Sequence, residues 1–351
     1  MSRYLISGYY GFGNAGDEAI LQSIIDSLRA LDGEADLTVL SANPQRTAAE
    51  HAVMAIPRTN LWRIAAQMRR SDLFISGGGG LLQDSTSSRS LHYYLGLIRL
   101  AQLLRRPTML YANSLGPIAR QSNRKRTGKI LQRMHFITVR DQQSWQLAQQ
   151  LEVPTSSIEI TADPVLLLRP PARQPQQKRL VVAVREWPSQ HPFLEQVERA
   201  TAGLVQQGFD VQFLPLHYNR DLAVARQLAK STGGVCVDNP LRFDQLLSVL
   251  SEAELVVAMR LHALIMSAIC LRPMVGIAYD PKVSGFLQSI GQPVAGTTDD
   301  LLSERLLACV LDSYQRRQLI ADELAGRLQE QRRLAGRNAE IAVALARGRQ
   351  I

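Results

Sequence analysis

Arg260 and His262 carry the most informative chemistry in this sequence. An apolar strand pattern over residues 255–259 precedes them, and an apolar helix pattern over residues 263–271 follows. Ligands of a doubly wound α/β sheet bind at the carboxyl ends of its strands, so a guanidinium and an imidazole at that point can contact one bound anion. The spacing therefore predicts an anion clamp beside a proton donor.

Three more cationic or imidazole side chains, Arg185, His217 and Lys282, each follow a predicted strand in the second half of the chain. A strand-end histidine alone is more often a hydrogen-bonded part of the scaffold. A buried unpaired charge is costly, however, so several such residues in succession are hard to assign to a core. Together they indicate a cationic site facing a cleft. In the first half, Arg140 also ends a strand, where it forms either a structural ion pair with Asp141 or part of an anion site.

A G-x-G-x-x-G motif at residues 11–16 follows the first predicted strand. It matches the dinucleotide fingerprint, but Asp17 and Glu18 would repel a pyrophosphate, and residues 40–43 lack the acid that would hold a ribose. The motif then has two readings. It is a tight turn with Asp17 as the helix cap, or Asn14 and Asp17 bind hydroxyls of a polar acceptor.

A second glycine run, Gly77, Gly78 and Gly79 with a fourth glycine after them, follows another predicted strand. Consecutive glycines expose backbone N–H groups and permit positive φ, which suits a ligand lying against the main chain. Close backbone packing is the alternative, and four glycines in a row make packing alone the weaker explanation. Asp84 could add a contact to a sugar hydroxyl.

Strand and helix patterns alternate along both halves of the chain, which is typical of parallel sheets covered on both faces. The length of 351 residues fits two such domains. We therefore predict an α/β protein with two Rossmann-like domains facing across a cleft. The expected parts are an N-terminal domain over 1–170, a linker over 171–178, a C-terminal domain over 179–300, and helices over 301–351 that cross back to the first domain.

Composition narrows the class of partner. Lysine and arginine total 40 against 31 acidic residues, a net charge of +9, which favours an anionic metabolite, an anionic lipid surface or nucleic acid. Aromatic residues are only 6%, and no basic stretch is interleaved with Phe or Tyr, so nucleic acid is not expected. The basic stretch at residues 119–129 is either a solvated face or a contact with anionic lipid headgroups.

Cys236, Cys270 and Cys309 are widely spaced in apolar surroundings, with no CxxC pattern or nearby histidine pair. They predict buried thiols in a reducing compartment, without disulfides or a zinc site. The sequence opens on a strand pattern without a signal-peptide pattern, and no apolar run reaches about 18 residues. We expect a cytoplasmic protein, with contact at the inner face of the membrane as an additional expectation.

Five motifs, taken together and in this order, resemble the polysaccharide pyruvyl transferase family. They lie at residues 8–18, 76–84, 139–141, 162–164 and 259–263. The resemblance implies a two-domain, glycosyltransferase-B-like fold. It also implies a reaction in which the pyruvyl group of phosphoenolpyruvate is transferred as a ketal onto two hydroxyls of a sugar in a cell-wall or surface polysaccharide precursor.

The family's Arg-x-His motif falls on Arg260 and His262, its later lysine on Lys282, and an earlier arginine on Arg140. Phosphoenolpyruvate must gain a proton at C3 before a hydroxyl attacks C2, so His262 is assigned as general acid and Arg260 as anion clamp. Arg185 and His217 are further donor-binding candidates. We expect phosphoenolpyruvate as co-substrate, no other cofactor and no metal, because arginines can balance the donor's charge.

The acceptor is expected to be a lipid-linked sugar bound near Asn14 and the glycines at 77–80, with Asp17 or Asp84 as base. Two alternatives remain at this point. A sugar-nucleotide glycosyltransferase of the same fold would bind its diphosphate at the same strand ends, and an anion-binding adaptor on a membrane surface would explain the net charge. The sequence makes no prediction of oligomeric state.

Overall fold

The computed structural model describes residues 1–85 and 87–349. The chain forms two compact units. Unit 1 contains Met1–Leu167 and the C-terminal segment from Gln331 onward, and unit 2 contains Leu168–Glu330. The sequence prediction treated residues 301–351 as one segment, whereas the structure divides them between the two units.

Unit 1 is built on a parallel sheet, in which mostly helical connections return the chain to the edge where the next strand starts. Its strands are β1 (Arg3–Ser7), β2 (Asp36–Ser41), β3 (Met54–Pro57), β4 (Leu73–Ser76), β5 (Gly79–Leu82), β6 (Thr108–Leu115), β7 (Phe136–Val139) and β8 (Ile158–Ile160). The order across the sheet is β3-β2-β1-β4-β6-β7-β8, with β5 also paired to β6. The strand order reverses between β1 and β4, the position where such sheets bind ligands.

The helices of unit 1 are α1 (Ala15–Leu31), α2 (Pro44–His51), α3 (Leu61–Arg70), α4 (Ser88–Leu103), α5 (Gln121–Leu131) and α6 (Gln142–Gln150). Side chains from α3 to α6 share one apolar cluster with the sheet, which includes Ile64, Leu95, Leu131 and Ala148. These four helices therefore form one layer on the same face of the sheet.

Unit 2 repeats the architecture with strands β9 (Arg179–Ala183), β10 (Asp210–Phe213), β11 (Val235–Cys236), β12 (Leu255–Ala258), β13 (Met274–Ala278) and β14 (Val294–Thr297). Its order is β11-β10-β9-β12-β13-β14, all parallel, with the reversal between β9 and β12. The helices are α7 (Phe193–Gln206), α8 (Tyr218–Thr232), α9 (Phe243–Ser251), α10 (Leu261–Ile269), α11 (Pro281–Ser289) and α12 (Ser303–Gln315). This is the doubly wound order predicted from the alternating pattern.

The last helix, α13 (Arg317–Ala346), begins in unit 2 and ends in unit 1. In unit 1 its buried Asn338 side chain accepts hydrogen bonds from Thr138 Oγ1 at 2.6 Å and Thr161 Oγ1 at 2.9 Å, and donates to the Ala162 carbonyl at 3.1 Å. A buried amide is stable only when its polar atoms are satisfied, so this contact fixes the register of α13 against β7.

The proline-rich and glutamine-rich stretch before β9 has no regular secondary structure and is held to unit 2 by polar contacts. The backbone N–H of Gln176 donates to the Glu252 carbonyl at 2.8 Å, and Arg173 pairs with the Glu252 carboxylate at 3.2 Å. No helix in the described part of the chain is both long and apolar enough to span a bilayer.

The three cysteines are free thiols, but only Cys270 is fully buried; Cys236 and Cys309 are partly exposed. Burial raises the pKa of Cys270 to about 12, so this thiol is inert at neutral pH. The expectation of three buried thiols is therefore met at one position, because Cys236 lies on the edge strand β11 and Cys309 on the outer helix α12.

Candidate active site

The strand-end residues predicted in the second half of the sequence lie along one edge of the unit 2 sheet. Arg185 follows β9 and Arg260 follows β12, the two strands that flank the reversal. His217 precedes α8 after β10, His262 is in the first turn of α10, and Lys282 is in the first turn of α11 after β13. We refer to Arg185, His217, Arg220, Arg260, His262 and Lys282 as the cationic edge.

Arg260 is held by a carboxylate that the sequence prediction missed. Its Nε donates to Asp221 Oδ2 at 2.7 Å, and its Nη2 also contacts Asp221 Oδ1. The same carboxylate accepts a hydrogen bond from the His217 backbone N–H at 2.9 Å, and the Asp221 side chain is 1% exposed. The two N–H donors of the planar guanidinium match the two oxygens of the carboxylate. Asp221 thus orients Arg260 and offsets part of its positive charge.

Arg185 and Arg220 supply positive charge that lacks such a partner. Among the described residues, no carboxylate forms an ion pair with either guanidinium. Burial is the main cause that lowers the pKa of Arg185, and repulsion from Arg260 and Arg220 lowers it further. The three guanidinium groups are therefore close enough to interact electrostatically. Arg185 and Arg220 line a cavity of about 560 Å³ with Trp187, whose ring lies 5.1 Å from the Arg185 guanidinium. This arrangement favours a bound anion.

His217 is a buried imidazole, 8% exposed, beside the same guanidinium groups. Burial lowers its pKa, and Arg260 and Arg220 lower it further. Within the part of the chain that the structure describes, His217 Nδ1 has no hydrogen-bond partner. The imidazole is therefore neutral at pH 7, with a ring nitrogen available to a ligand.

Lys282 and His262 both begin helices at this edge. Lys282 Nζ lies 3.1 Å from the carboxylate of Asp280, which caps α11 by accepting from the Lys282 backbone N–H at 3.0 Å. His262, partly exposed, is the second residue of α10, directly after Arg260 and Leu261. A helix N-terminus favours negative charge nearby, so it adds to the field of the cationic edge.

In unit 1, side chains of the first glycine motif and of the helix after it accept hydrogen bonds from backbone N–H groups of the same segment. Asn14, not Asp17, caps α1, since Asn14 Oδ1 accepts from the Gly16 N–H at 3.2 Å. Glu18 Oε1 accepts from the Gly11 N–H at 2.8 Å. The prediction that Asp17 caps α1 is wrong, because α1 begins at Ala15, whereas a helix capped by Asp17 would begin at Glu18.

Asp17 instead faces the second glycine run. Its Oδ1 lies 3.2 Å from the point where a Cβ on Gly79 would stand, and Asp17 is 8% exposed. Gly79 has φ +96°, which only glycine adopts readily. The structure therefore brings together the acceptor-side candidates Asp17 and Gly79, at the carboxyl edge of β1 and β4.

Close packing explains more of the second glycine run than the sequence indicated. A Cβ on Gly77 would meet Tyr10 Oη at 2.2 Å, and one on Gly78 would meet Ile20 Cγ2 at 3.0 Å. Among the described residues, no atom lies within 4 Å of the point where a Cβ on Gly80 would stand. Backbone from Gly79 onward forms β5, which pairs with β6, so the expected loop is partly a strand.

Asp84 caps a helix. Its carboxylate accepts from the backbone N–H groups of Ala119 at 2.8 Å and Arg120 at 3.1 Å, and from Asn123 Nδ2 at 2.8 Å. Burial alone would raise its pKa, but these hydrogen bonds lower it overall. The geometry favours a structural role at the N-terminus of α5 over the predicted acceptor contact.

Arg140 forms a structural ion pair, as one of its two predicted roles, but its partner is Asp163 and not the expected Asp141. Its guanidinium pairs with Asp163 and donates from Nε to Ser114 Oγ at 2.8 Å, and the side chain is 6% exposed. Asp141 caps α6 by accepting from the Ser144 N–H at 2.7 Å. Arg140 belongs to unit 1 and is not part of the cationic edge of unit 2.

The basic stretch at residues 119–129 becomes the start of α5 and lines a groove against α4. The groove has a volume of about 540 Å³. Its cationic members are Arg99, Lys125, Arg126, Lys129 and Arg133, and its apolar floor includes Leu95 and Ile130. Among the described residues no carboxylate pairs with these five cations, so the groove presents uncompensated positive charge. We refer to it as the basic groove.

The donor atoms at these sites suit anions better than metal ions. Guanidinium, ammonium and neutral imidazole groups bind phosphate and carboxylate. Over residues 1–85 and 87–349, no group of three or more His, Cys, Asp or Glu side chains is placed to hold a metal.

Comparison with solved structures shows the fold. S. aureus MnaA, in a co-structure with UDP, superposes with a TM-score of 0.65 at 8% sequence identity, covering 98% of this chain and 95% of that one. Anabaena HepE, in complex with UDP and glucose, gives a TM-score of 0.62 at 13% identity, covering 99% and 98%. The predicted glycosyltransferase-B-like class of two Rossmann-like sheets is confirmed.

Sequence comparison shows the family. The amylovoran biosynthesis protein AmsJ of Erwinia amylovora is 20% identical, and the match covers 95% of this chain and 97% of that protein. The family model for polysaccharide pyruvyl transferase matches residues 14–281, which include the second glycine run and every residue of the cationic edge except Lys282. With most of its length matched by that model, the chain belongs to the polysaccharide pyruvyl transferase family.

Proposed function

We propose that this protein transfers the pyruvyl group of phosphoenolpyruvate onto two hydroxyls of a sugar in a polysaccharide precursor. The observation that carries the proposal is the cationic edge. Three guanidinium groups and two imidazoles meet at the carboxyl ends of neighbouring strands, beside a cavity of about 560 Å³. Phosphoenolpyruvate carries a phosphate and a carboxylate on the same carbon, C2, and this close pair of anionic groups matches that arrangement.

In the proposed reaction His262 donates a proton to C3 of phosphoenolpyruvate, which turns the methylene into a methyl group and makes C2 electrophilic. One sugar hydroxyl then forms a C–O bond to C2 and gives up its proton to a base. The second hydroxyl forms its own C–O bond to C2 while the bond from C2 to the phosphate oxygen breaks, and the proton of this hydroxyl passes to the departing phosphate. Phosphate leaves with that electron pair, and a cyclic ketal remains.

The charged and neutral side chains of the cationic edge have different proposed roles in binding phosphoenolpyruvate. Arg260, oriented by Asp221, and the unpaired Arg185 and Arg220 stabilise the phosphate as negative charge develops on it. The neutral His217 imidazole accepts or donates one hydrogen bond to the donor. Lys282 is a weaker candidate for direct contact because Asp280 already neutralises it.

On the acceptor side, we propose Asp17 as the base. Its carboxylate is nearly buried beside Gly79, at the strand reversal of unit 1. Asn14 caps α1, and Asp84 holds the backbone that leads into α5 by hydrogen bonds. Their substitution should therefore act mainly on stability.

We also propose that the acceptor is lipid-linked and that the basic groove contacts an anionic membrane surface. Five cations without carboxylate partners stand over an apolar floor, and each Lys or Arg near such a surface contributes about 1 kcal/mol of attraction. This contact would place the enzyme where its acceptor is embedded.

The test is phosphate release from phosphoenolpyruvate in the presence of a β-N-acetylmannosaminyl model acceptor. We expect acceptor-dependent release, and a loss of about 100-fold or more in kcat for His262→Gln, because a general acid contributes about 10²–10⁴-fold. The matched control is His135→Gln, which alters an exposed histidine of unit 1. Unchanged turnover of His262→Gln would refute the role of His262.

A second measurement separates the proposal from a sugar-nucleotide glycosyltransferase of the same fold. Phosphoenolpyruvate should raise the melting temperature of the protein and a UDP-sugar should not. Arg185→Gln should abolish the effect of phosphoenolpyruvate, whereas Arg199→Gln, at a side chain 67% exposed in the same unit, should retain it. Protection by the UDP-sugar alone would favour the glycosyltransferase.

A further inference from the structure

Arg58 is a cation at the carboxyl edge of unit 1 that no sequence motif indicated. It directly follows β3, and its backbone N–H donates to the Ser41 carbonyl at the end of β2 at 3.0 Å. Ligands of such sheets bind at this edge. Arg58 therefore lies on the same edge of the sheet as the two glycine runs, which follow β1 and β4.

Aromatic rings hold the Arg58 guanidinium in place. Its central carbon lies 4.2 Å from the ring centroid of Tyr93 on α4 and 4.9 Å from that of Phe12 in the first glycine loop. Phe12 in turn stacks on Tyr9, with centroids 4.1 Å apart, and Tyr93 Oη donates to the Arg58 carbonyl at 2.8 Å. The side chain is thus ordered before any ligand binds, which reduces the entropy lost on binding.

The N–H donors of Arg58 have no strong acceptor in the described structure. Among the described residues no carboxylate pairs with Arg58, whereas Arg46 pairs with Glu50 and Arg140 pairs with Asp163. Aromatic faces attract the charge of a guanidinium but do not replace its in-plane hydrogen bonds. An ordered, partly exposed guanidinium of this kind suits a ligand anion.

Tyr94 connects this cation to the candidate base. Its ring centroid lies 5.8 Å from the Arg58 guanidinium carbon, and its buried hydroxyl has no hydrogen-bond partner among the described residues. Burial raises the pKa of Tyr94, while Arg58 lowers it and Asp17 raises it, so the hydroxyl lies in the field of both groups. Arg58, which follows β3, and Asp17, which lies beside Gly79 after β4, are both at the carboxyl edge of the unit 1 sheet.

We propose that Arg58, clamped by Phe12 and Tyr93, binds an anionic group carried by the acceptor sugar, either a phosphate at its linkage to a carrier or a carboxylate of a neighbouring sugar. This inference rests on the proposed acceptor side of unit 1. The cationic edge of unit 2 already provides for the phosphate and carboxylate of the donor, so a separate cation at the carboxyl edge of unit 1 is assigned to the acceptor. Arg58 is in this sense a specificity-determining residue.

The test measures binding without phosphoenolpyruvate, so its outcome does not depend on the transfer chemistry. Three probes are titrated by calorimetry: an N-acetylhexosamine 1-phosphate, the neutral methyl glycoside of the same sugar, and a disaccharide that contains a uronic acid. We expect Arg58→Gln to weaken binding of the 1-phosphate by at least about 10-fold, as loss of a charged hydrogen bond does, and binding of the neutral glycoside by less than about 2-fold. Selective loss for the uronic acid probe instead would identify the anion as a carboxylate.

The control is Arg63→Gln, which removes an exposed arginine from the first turn of α3 and should change no probe. Arg58→Lys keeps the charge without the planar fork and should retain the preference for the charged probe, with weaker affinity. Equal loss of the charged and neutral probes in Arg58→Gln would mean that Arg58 only supports the glycine loop, and would overturn the proposal. No loss of either probe would overturn it as well.

Discussion

The ion pair between Asp221 and Arg260 makes a quantitative prediction. Asp221 is 1% exposed and Arg260 is 14% exposed, and the carboxylate binds both the guanidinium and the His217 backbone N–H. Asp221→Asn leaves the guanidinium without its counter-charge. Breaking a buried pair costs about 3–5 kcal/mol, and since asparagine keeps an acceptor oxygen we expect about 3 kcal/mol. For a unit of this size that corresponds to a fall of about 6–12 °C in melting temperature.

The assay is thermal unfolding followed by circular dichroism, with Asp238→Asn as the matched control. Asp238 binds Arg226 through the same two-point geometry, at 2.9 and 2.8 Å, but its side chain is 43% exposed and that of Arg226 is 57% exposed. Water solvates both groups when an exposed ion pair is broken, so the melting temperature of the control should show no resolvable change. Equal shifts for the two variants, or none for Asp221→Asn, would refute the reasoning that burial makes the Arg260 pair matter.

Three further predictions follow from the geometry. Gly77→Ala should destabilise the protein by about 1–3 kcal/mol in urea unfolding, because its Cβ would meet a tyrosine hydroxyl at 2.2 Å, whereas Gly80→Ala should stay within about 0.5 kcal/mol. The lowered pKa of His217 means that its protonation opposes folding, so the free energy of unfolding should decline as pH falls below 6.5, and His217→Gln should flatten that decline. In vesicle co-sedimentation, Lys125→Glu with Lys129→Glu should abolish binding to vesicles rich in anionic lipid, and wild type should not bind neutral vesicles; binding unchanged by the double substitution would contradict the lipid contact.

The fold could be predicted from the sequence because short apolar strand patterns alternate with longer helical patterns along both halves of the chain. The placement of Arg185, His217 and Arg260 along one sheet edge followed from that alternation, since carboxyl ends of parallel strands share an edge. Strand β5 was missed because its first two residues are glycines, which strands disfavour. Its pairing with β6 is a tertiary effect.

The partners of the charged groups were largely hidden from the sequence. Asp221 lies on α8 and reaches Arg260 39 residues away, and Asp163 reaches Arg140 over 23 residues, so no spacing rule indicates either pair. Arg58 shows no motif, although an arginine directly after a predicted strand was a usable signal. Asn14 could have been recognised as the cap of α1, because asparagine before an apolar helix pattern is a common helix start.

The most direct test of the account is the product formed in D₂O from phosphoenolpyruvate and the model acceptor, analysed by mass spectrometry and NMR. We predict one phosphate released per acceptor consumed, and a cyclic pyruvyl ketal whose methyl group carries deuterium from solvent, because C3 must be protonated before C2 reacts. A product without the ketal, or a ketal methyl group free of deuterium, would contradict the central claim.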